Sequence, residues 1–321
     1  MLTDKAVKAS PRAIYGETLV ELGQKNPNIV VFDADLSCST QTQKFAKAFP
    51  ERFFNMGIAE QDAMGTAAGI STCGKIPFVS TFAVFASGRA WDQVRNAIAY
   101  PKFNVKIVAT HGGITVGEDG ASHQALEDIS LMRTIPNMVV IVPSDGTETR
   151  EAIKFASKYQ GPVYIRVART NMTQIFDEDK YVFNFPNAQI VTEGVDVTLL
   201  ANGETLCEAL KCSQMLSDKG ILAEVINVPV VKPLDKDTII ESAKKTGAIV
   251  TIENHSIIGG LGSAVCEAIC EEYPILVKRI GTRDQFGQSG KDSELMAEYG
   301  LTADKFIHEI IGLIEKKSSI L

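Results

Sequence analysis

Short apolar runs alternate with stretches of helical spacing through the first half of the chain, from residue 13 to residue 168. The runs are rich in valine and isoleucine and lack a polar face, which is typical of strands buried on both sides. They cover residues 29–32, 76–82, 106–110, 139–142 and 163–167, and helical spacing covers 91–100, 125–133 and 147–159. This alternation predicts a mostly parallel sheet with helices on both faces.

A second α/β series follows a break in this rhythm. Residues 170–188 are rich in Asn, Asp, Phe and Pro, and we predict a surface linker at 173–189. Beyond it, strands are predicted at 197–201, 223–228, 248–253 and 277–280, and helices at 203–216 and 302–314. The predicted fold class is therefore α/β with two doubly wound domains, at 1–172 and 190–321.

Composition narrows the class of protein. A chain of 321 residues with 45% apolar content can bury two ordinary cores, and its net charge of −7 argues against non-specific binding to nucleic acid. The first 13 residues lack the apolar core of a secretory signal, and no apolar run has the length of a membrane span. None of the six cysteines forms the two-residue-spaced pair of a zinc or redox site. We therefore expect a cytoplasmic protein with no membrane contact.

Polar residues that could take part in catalysis or binding follow several predicted strands. The polar segments 33–35, 81–82 and 110–111 each stand at the carboxyl end of a strand, where open α/β sheets carry their active sites. One further carboxylate, Glu60, stands between an aromatic segment at 53–54 and a small-residue helix at 63–69. The positions predict one site built from several loops.

Three motifs carry a resemblance to a known family. Glu60 stands in GIAEQD, Phe82 and Phe85 stand in STFAVF, and a loop reading HGGITVGEDGASHQ follows. Together they resemble the pyrimidine-binding half of transketolase, a thiamine-diphosphate enzyme. The resemblance covers most of the chain but only the C-terminal portion of a full-length transketolase. It implies a pyrimidine-binding thiamine-diphosphate fold followed by a smaller transketolase C-terminal-type α/β domain.

The resemblance implies a cofactor site. Glu60 matches the catalytic glutamate, which donates a hydrogen bond to N1' of the aminopyrimidine, so the carboxyl must stay protonated near neutral pH. Apolar burial favours that form, and we expect the aromatic and aliphatic side chains at 53–58 to supply it. Phe85 matches the ring that stacks on the aminopyrimidine, and Phe82 is expected beside it.

The resemblance also implies a sugar site. His111, Asp119 and His123 match a loop that contacts the hydroxyls and carbonyl of the sugar, and the two imidazoles suit proton transfer at a carbinol. For the substrate phosphate the matching residues are a hydroxyl and two guanidinium groups, namely Ser39, Arg12 and Arg169. A guanidinium fork suits a terminal phosphate.

Two departures from the family pattern stand out. Gly88 replaces an aromatic residue that many transketolases carry near the pyrimidine. The glycine-aspartate-glycine motif that supplies magnesium ligands is also missing, because the near matches at 118–120 and 144–146 lack its first glycine. The chain is thus expected to supply no metal ligand, and an N-terminal transketolase subunit is expected to bring the diphosphate-binding domain, the magnesium ligands and activity.

The implied function is that of a C-terminal transketolase subunit. It would move a two-carbon ketol unit from a ketose phosphate to an aldose phosphate, in pentose-phosphate-type metabolism. The family's pseudo-symmetry implies self-association across a two-fold axis and a heterotetramer of two subunit pairs.

Alternatives remain open at this point. The chain is compatible with a 1-deoxyxylulose-5-phosphate synthase-like protein, in which the run at residues 89–94 has a counterpart. It is also compatible with a 2-oxoacid dehydrogenase β-type subunit. The loop that begins at His111 favours transketolase, because a ketose offers hydroxyls that pyruvate lacks. A split transketolase for an unusual ketose phosphate or a sulfosugar, and a non-catalytic regulator with the same fold, are the other readings.

Overall fold

The apolar runs form two mostly parallel sheets in the computed structural model, which describes residues 7–320. Residues 1–6 and 321, which the predicted domains 1–172 and 190–321 include, lie outside the described residues. Each sheet has helices packed on its faces, and this confirms the predicted fold class.

The first half of the chain contains a long sheet and its crossover helices. Its elements are β1 (Lys8–Ala9), α1 (Pro11–Lys25), β2 (Ile29–Asp33), α2 (Ser37–Thr40), α3 (Gln43–Ala48), β3 (Phe53–Asn55), α4 (Glu60–Ser71), β4 (Ile76–Phe82), α5 (Trp91–Gln93), β5 (Lys106–Thr110), α6 (Asp128–Arg133), β6 (Val139–Ile141), α7 (Gly146–Lys158), β7 (Val163–Val167) and β8 (Met172–Thr173). π-helical turns cover Phe85–Arg89 and Val94–Ala99, and 3-10 turns cover Pro50–Arg52 and Ile114–Asp119.

Strands with no polar face occupy the centre of this first sheet. Among the described residues its order is β12-β6-β7-β5-β4-β2-β3, and all neighbours from β6 to β3 run parallel. The five strands predicted from apolar runs are present with ends within one residue of the prediction.

The second half forms the other sheet. Its elements are β9 (Gln189–Thr192), β10 (Val197–Ala201), α8 (Thr205–Ser217), β11 (Ala223–Asn227), β12 (Val230–Lys232), α9 (Lys236–Thr246), β13 (Ala248–Ser256), α10 (Leu261–Glu272), β14 (Leu276–Thr282), α11 (Asp292–Glu298) and α12 (Ala303–Ile320). The order is β14-β13-β10-β11-β9, with β9 antiparallel at the edge. None of the helices within residues 7–320 combines the length and apolarity of a bilayer crossing.

Strand β12 crosses from the second half of the chain to the first sheet. It pairs antiparallel with β6, with Val230 opposite Ile141 and Lys232 opposite Val140. The Lys232 ammonium donates to the carbonyls of Arg133 at 2.8 Å and Ile135 at 2.5 Å. The first sheet is therefore completed by a segment that lies beyond the predicted linker.

A buried carboxyl joins the two halves near this crossing. Glu148, in the first turn of α7, accepts hydrogen bonds from the amide of Ser144 at 2.6 Å, from Nδ2 of Asn227 at 2.7 Å and from the hydroxyl of Tyr181. Burial raises the pKa of Glu148 from its ordinary value of 4.5 to about 7, although the donors from Tyr181 and Ser144 oppose the shift. The folded chain therefore holds a proton on this carboxyl that the unfolded chain releases at lower pH.

This difference predicts a pH dependence of stability. Because the folded pKa of Glu148 is raised, its contribution is full below pH 4.5 and is lost as pH rises through about 7. We expect the thermal midpoint of the wild-type chain to fall across this window more steeply than that of a Glu148→Gln variant. Differential scanning calorimetry at several pH values measures the two slopes.

Glu272→Gln, at an exposed position of α10, is the matched control for that comparison. Its slope is expected to follow the wild type. Equal slopes for Glu148→Gln and wild type would contradict the protonated, buried carboxyl.

Candidate active site

The loop after β2 is organised by one buried carboxylate. Asp33, the last residue of β2, accepts from the amide of Leu36 at 2.6 Å and from the hydroxyls of Thr40 at 2.7 Å and Thr42 at 2.8 Å. Burial raises the pKa of Asp33, against the opposing effect of these donors. These bonds fold residues 34–42 back over the sheet and fix the short helix that carries Ser39.

Glu60 is placed by a tight turn after β3. The Asn55 side chain binds Asp35 at 2.9 Å and accepts from the amide of Gly57 at 3.1 Å, and Gly57 takes a left-handed φ of +70°. The chain then turns into α4, whose first residue is Glu60. The Glu60 side chain is only 1% exposed, so the carboxyl lies in the protein interior.

The groups that bury Glu60 differ from those expected. Of the side chains at 53–58, Ile58 is 77% exposed and Phe54 is 41% exposed, and the Phe54 ring stacks on Phe32. Met56 is partly buried and packs on the core that includes Ala63. The small residues of α4, rather than a surrounding set of aromatic rings, let the helix start sit deep against the sheet.

Arg89 lies against both predicted cofactor contacts. Its Nη1 is 3.3 Å from Glu60 Oε2, and its guanidinium carbon is 5.3 Å from the centroid of the Phe85 ring. Arg89 is 53% exposed, in contrast with buried Glu60. A planar group with N–H donors can therefore contact the Glu60 carboxyl and the Phe85 ring together.

Four aromatic side chains, those of Phe82, Phe85, His111 and His123, form a cluster beside Arg89. The His111 ring stacks on Phe82 with centroids 3.8 Å apart, and Phe82 lies parallel to Phe85 at 6.0 Å. The His123 ring meets Phe85 edge-on at 5.6 Å and Phe82 at 6.1 Å. Phe82, buried and covered on one face by His111, supports the imidazole, whereas Phe85 is only partly buried.

His111 is held in a demanding conformation. Its φ is +62°, a left-handed value that costs energy for a residue with a side chain, and its Nδ1 lies 2.8 Å from the Thr110 hydroxyl. Burial lowers the pKa of His111 to about 3, and the nearby charges of Arg12, Arg169 and His123 add to the effect. The imidazole is therefore neutral across physiological pH.

The three predicted phosphate residues meet at one corner. Arg12 Nη1 donates to the Ser39 carbonyl at 2.7 Å, and Arg12 Nε donates to the Arg169 carbonyl at 3.2 Å. Burial and the charge of Arg169 lower the pKa of Arg12. The structure thus brings Arg12, Ser39 and Arg169 together next to His111, with Arg12 bound to the backbone of Ser39.

Asp119 and His123 belong to the same loop but are less enclosed. Asp119 ends the 3-10 turn and is exposed, and partly buried His123 has its Nδ1 2.9 Å from the Ser122 hydroxyl. Both are therefore more accessible than buried His111 and form the rim of the site.

Sequence reasoning placed residues 33–35 at the edge of the site and noted residues 89–94, but it predicted neither the hydrogen bonds of Asp33 nor the contacts of Arg89. The spacing of Arg89 from Phe85, four residues along one helical segment, is the signal that places their side chains on one face. Asp33 had a weaker signal, a carboxylate at a strand end followed by hydroxyl residues at 40 and 42. Within residues 7–320 no group of three His, Cys, Asp or Glu side chains is arranged to hold a metal ion.

Comparisons with known proteins identify the family. A family model described as the transketolase pyrimidine binding domain matches residues 7–174, and one described as the transketolase C-terminal domain matches residues 187–306. The chain belongs to the transketolase family. Membership implies thiamine diphosphate as the cofactor.

Similar proteins include a transketolase C-terminal section and a transketolase subunit. A putative transketolase C-terminal section of Methanocaldococcus jannaschii is 51% identical over 94% of this chain and 96% of that protein. A 6-deoxy-6-sulfo-D-fructose transketolase subunit of Clostridium sp. strain MSTE9 is 42% identical over 96% of this chain and 95% of that protein. A solved structure described as a split gene transketolase, inactive beta4 tetramer, has 52% identity and a TM-score of 0.88, covering 97% of this chain and 99% of that one.

The low pKa of His111 gives a direct prediction. Because burial and neighbouring cations disfavour the imidazolium, the His111 ring should stay neutral between pH 5 and 8, with a pKa of about 3. In NMR spectra of the histidine-labelled chain, its ring nitrogen shifts should remain constant over this range.

His308, exposed on α12, provides the comparison in the same spectra, and a His111→Asn variant assigns the resonance. A His111 titration midpoint between pH 5 and 8 would contradict the enclosed cationic corner.

Proposed function

We propose that this chain is the C-terminal subunit of a thiamine-diphosphate-dependent transketolase that transfers a two-carbon ketol unit from a ketose phosphate to an aldose phosphate. The observation that carries the proposal is the pairing of a buried carboxyl, Glu60, with the partly buried ring of Phe85, close enough for one planar group to contact both. The relative named as a putative transketolase C-terminal section and the solved structure described as a split gene transketolase support it.

The residues of this chain fit the aminopyrimidine part of the cofactor. The Arg89 guanidinium already lies over Phe85 and donates toward Glu60, and an aminopyrimidine is likewise flat, although its N1' accepts a hydrogen bond. In our proposal Glu60, when protonated, donates to N1', while the Phe85 ring stacks on the pyrimidine face. When bound, thiamine diphosphate supplies the nucleophilic carbon that takes up the ketol unit.

The loop residues would handle the sugar. Neutral His111 can both donate and accept a hydrogen bond, so it suits a hydroxyl or carbonyl whose protonation state changes during transfer. His123 and Asp119 at the rim would bind further hydroxyls, and Phe82 would keep the His111 ring in place.

The cationic corner would bind the far end of the substrate. Arg12 and Arg169 present positive charge beside His111, and Ser39 stands at the same corner. A terminal phosphate dianion or a sulfonate meets the same donors. The relative named for 6-deoxy-6-sulfo-D-fructose makes a sulfosugar donor the second candidate for this chain.

A partner subunit is part of the proposal. In this proposal the site residues described above bind the pyrimidine and the sugar. An N-terminal transketolase subunit would hold the magnesium and the diphosphate. The solved structure described as an inactive β4 tetramer supports a model in which this chain self-associates but needs its partner for turnover. We propose an active heterotetramer of two subunit pairs.

Mixing experiments test the proposal. We expect this chain to form sedoheptulose 7-phosphate from xylulose 5-phosphate and ribose 5-phosphate only with an N-terminal subunit, thiamine diphosphate and magnesium present. Replacing Glu60 by Ala in the mixture should lower the rate by about a hundredfold or more, because the donor to N1' is lost. A coupled spectrophotometric assay measures the rates.

Glu51→Ala, at an exposed position near β3, is the matched control and should keep the full rate. Parallel assays with pyruvate and with 6-deoxy-6-sulfo-D-fructose as donors separate the alternatives. Decarboxylation of pyruvate would assign the chain to the 1-deoxyxylulose-5-phosphate synthase or 2-oxoacid dehydrogenase type, and full activity of Glu60→Ala would refute its role.

The position of Arg89 leads to a further prediction. Its guanidinium contacts the same carboxyl and ring face that the pyrimidine needs, so the side chain must swing outward when the cofactor binds. Replacing Arg89 by Met removes this competitor, and we expect the reconstituted complex to bind thiamine diphosphate about threefold to tenfold more tightly. Isothermal titration calorimetry measures the affinity.

Arg95→Met provides the control, since exposed Arg95 donates to the side chain of the adjacent residue, Asn96. Its cofactor affinity should match the wild type. Weaker binding by Arg89→Met would show that Arg89 supports the bound cofactor instead of competing with it.

A further inference from the structure

The first part of the loop that joins His111 to His123 is held against the second domain by the carboxamide of Asn254. Asn254, near the carboxyl end of β13, accepts through Oδ1 from the amide of Ile114 at 3.0 Å. Its Nδ2 donates to the hydroxyl of Thr115 at 3.1 Å and to Glu204 Oε1 at 2.5 Å. The Thr115 hydroxyl in turn donates to Glu204 at 2.7 Å, so the three side chains form a closed network of which Asn254 and Thr115 are buried.

Glycines allow the loop to approach these side chains closely. A Cβ on Gly113, whose φ is +78°, would lie 2.3 Å from Asn254 Nδ2, and one on Gly112 would lie 2.0 Å from Arg166 Nε. Arg166 spans the same place, donating to the carbonyls of Asn254 at 2.9 Å and Ala125 at 3.0 Å. Gly112 and Gly113 are thus packed directly against the side chains of Arg166 and Asn254, which restrict the backbone conformation after His111.

The far end of the loop is also tied to the second domain. Gln124, 4% exposed, donates through Nε2 to the carbonyls of Ile114 at 3.1 Å, Gly117 at 3.3 Å and Gln288 at 2.9 Å. A Cβ on Gly120 would lie 2.6 Å from the Ser289 hydroxyl. The segment after β14 therefore lies against the loop between its two histidines.

We propose that the second domain sets the shape of the substrate loop, and that Asn254 is the positioning residue through which it places His111. The proposal rests on the function proposed above, in which the loop binds the sugar. The second domain would thus take part in substrate binding indirectly, through its contacts with the loop.

The chemistry of the carboxamide explains why asparagine suits this position. The loop presents an N–H donor at Ile114, and Glu204 presents an acceptor, so one short side chain must accept on one side and donate on the other. His111 needs such support, because a left-handed conformation persists only where its surroundings hold it.

The experiment compares Asn254→Ala with Asn227→Ala. Asn227 is equally buried and also joins the two halves, through Ser144 and Glu148, but it makes no hydrogen bond to the substrate loop. In the chain alone, Asn254→Ala should raise amide hydrogen exchange at residues 112–117 by about tenfold, and Asn227→Ala should leave these amides at the wild-type rate.

The reconstituted complex gives the second readout. Asn254→Ala should raise KM for the ketose phosphate about tenfold while the affinity for thiamine diphosphate stays unchanged, because Glu60 and Phe85 do not belong to the loop. General loss of structure would weaken both. Asn227→Ala should change neither value.

A polarity swap supplies a rescue. Asn254→Asp keeps the acceptor for Ile114 but places a second carboxylate beside Glu204, so this variant should behave like Asn254→Ala. Adding Glu204→Gln restores one donor and one acceptor to the pair and should recover most of the wild-type KM.

The outcomes are separable. Faster loop exchange and higher KM in Asn254→Ala alone, with recovery in the double variant, support the proposal. Unchanged loop exchange in Asn254→Ala, or an equal change in Asn227→Ala, overturns it. A wild-type mixture without ketol transfer overturns the proposed function, whereas the exchange comparison in the chain alone still decides whether Asn254 holds the loop.

Discussion

Parallel pairing in the first sheet is the constraint on which the site depends. The register sets Asp33 beside Ser80, and Phe82 beside Thr110, which in turn pairs with Val167. Each of these strands leaves the sheet at the same edge, so the loops that follow converge without any direct sequence proximity. The loop held by Asp33, the stacked rings of Phe82 and His111, and the cationic corner are all consequences of that one alignment.

The sequence predicted the parts of the fold in which local pattern and tertiary environment agree. Buried strands such as β4 and β5 are continuous apolar runs, and their limits were predicted correctly. The short edge strands β9 and β12 have too few residues for a clear period, and β12 acquires its place only by pairing with β6. Long-range pairing of this kind has no local signature.

The candidate site likewise combines residues that a local motif indicates with residues that only long-range contacts bring together. Motif positions made Glu60, His111 and the arginines candidates, and in the structure Arg12 and Arg169 lie near His111 while Glu60 contacts Arg89. No motif linked Asn254 to the loop, because the hydrogen bond between Asn254 and Ile114 joins residues that are 140 positions apart in the sequence. The surroundings of Glu60 likewise came from small helical residues, and exposed Ile58 took no part.

Strand β12, from the second half of the chain, pairs with β6 of the first sheet and so joins the two halves. A shortened chain that ended at the linker would leave β6 with an open row of unpaired amides and carbonyls beside an apolar core, the arrangement from which strands of separate molecules join. The boundary between the two halves is therefore a place at which the chain cannot be divided without exposing a strand edge.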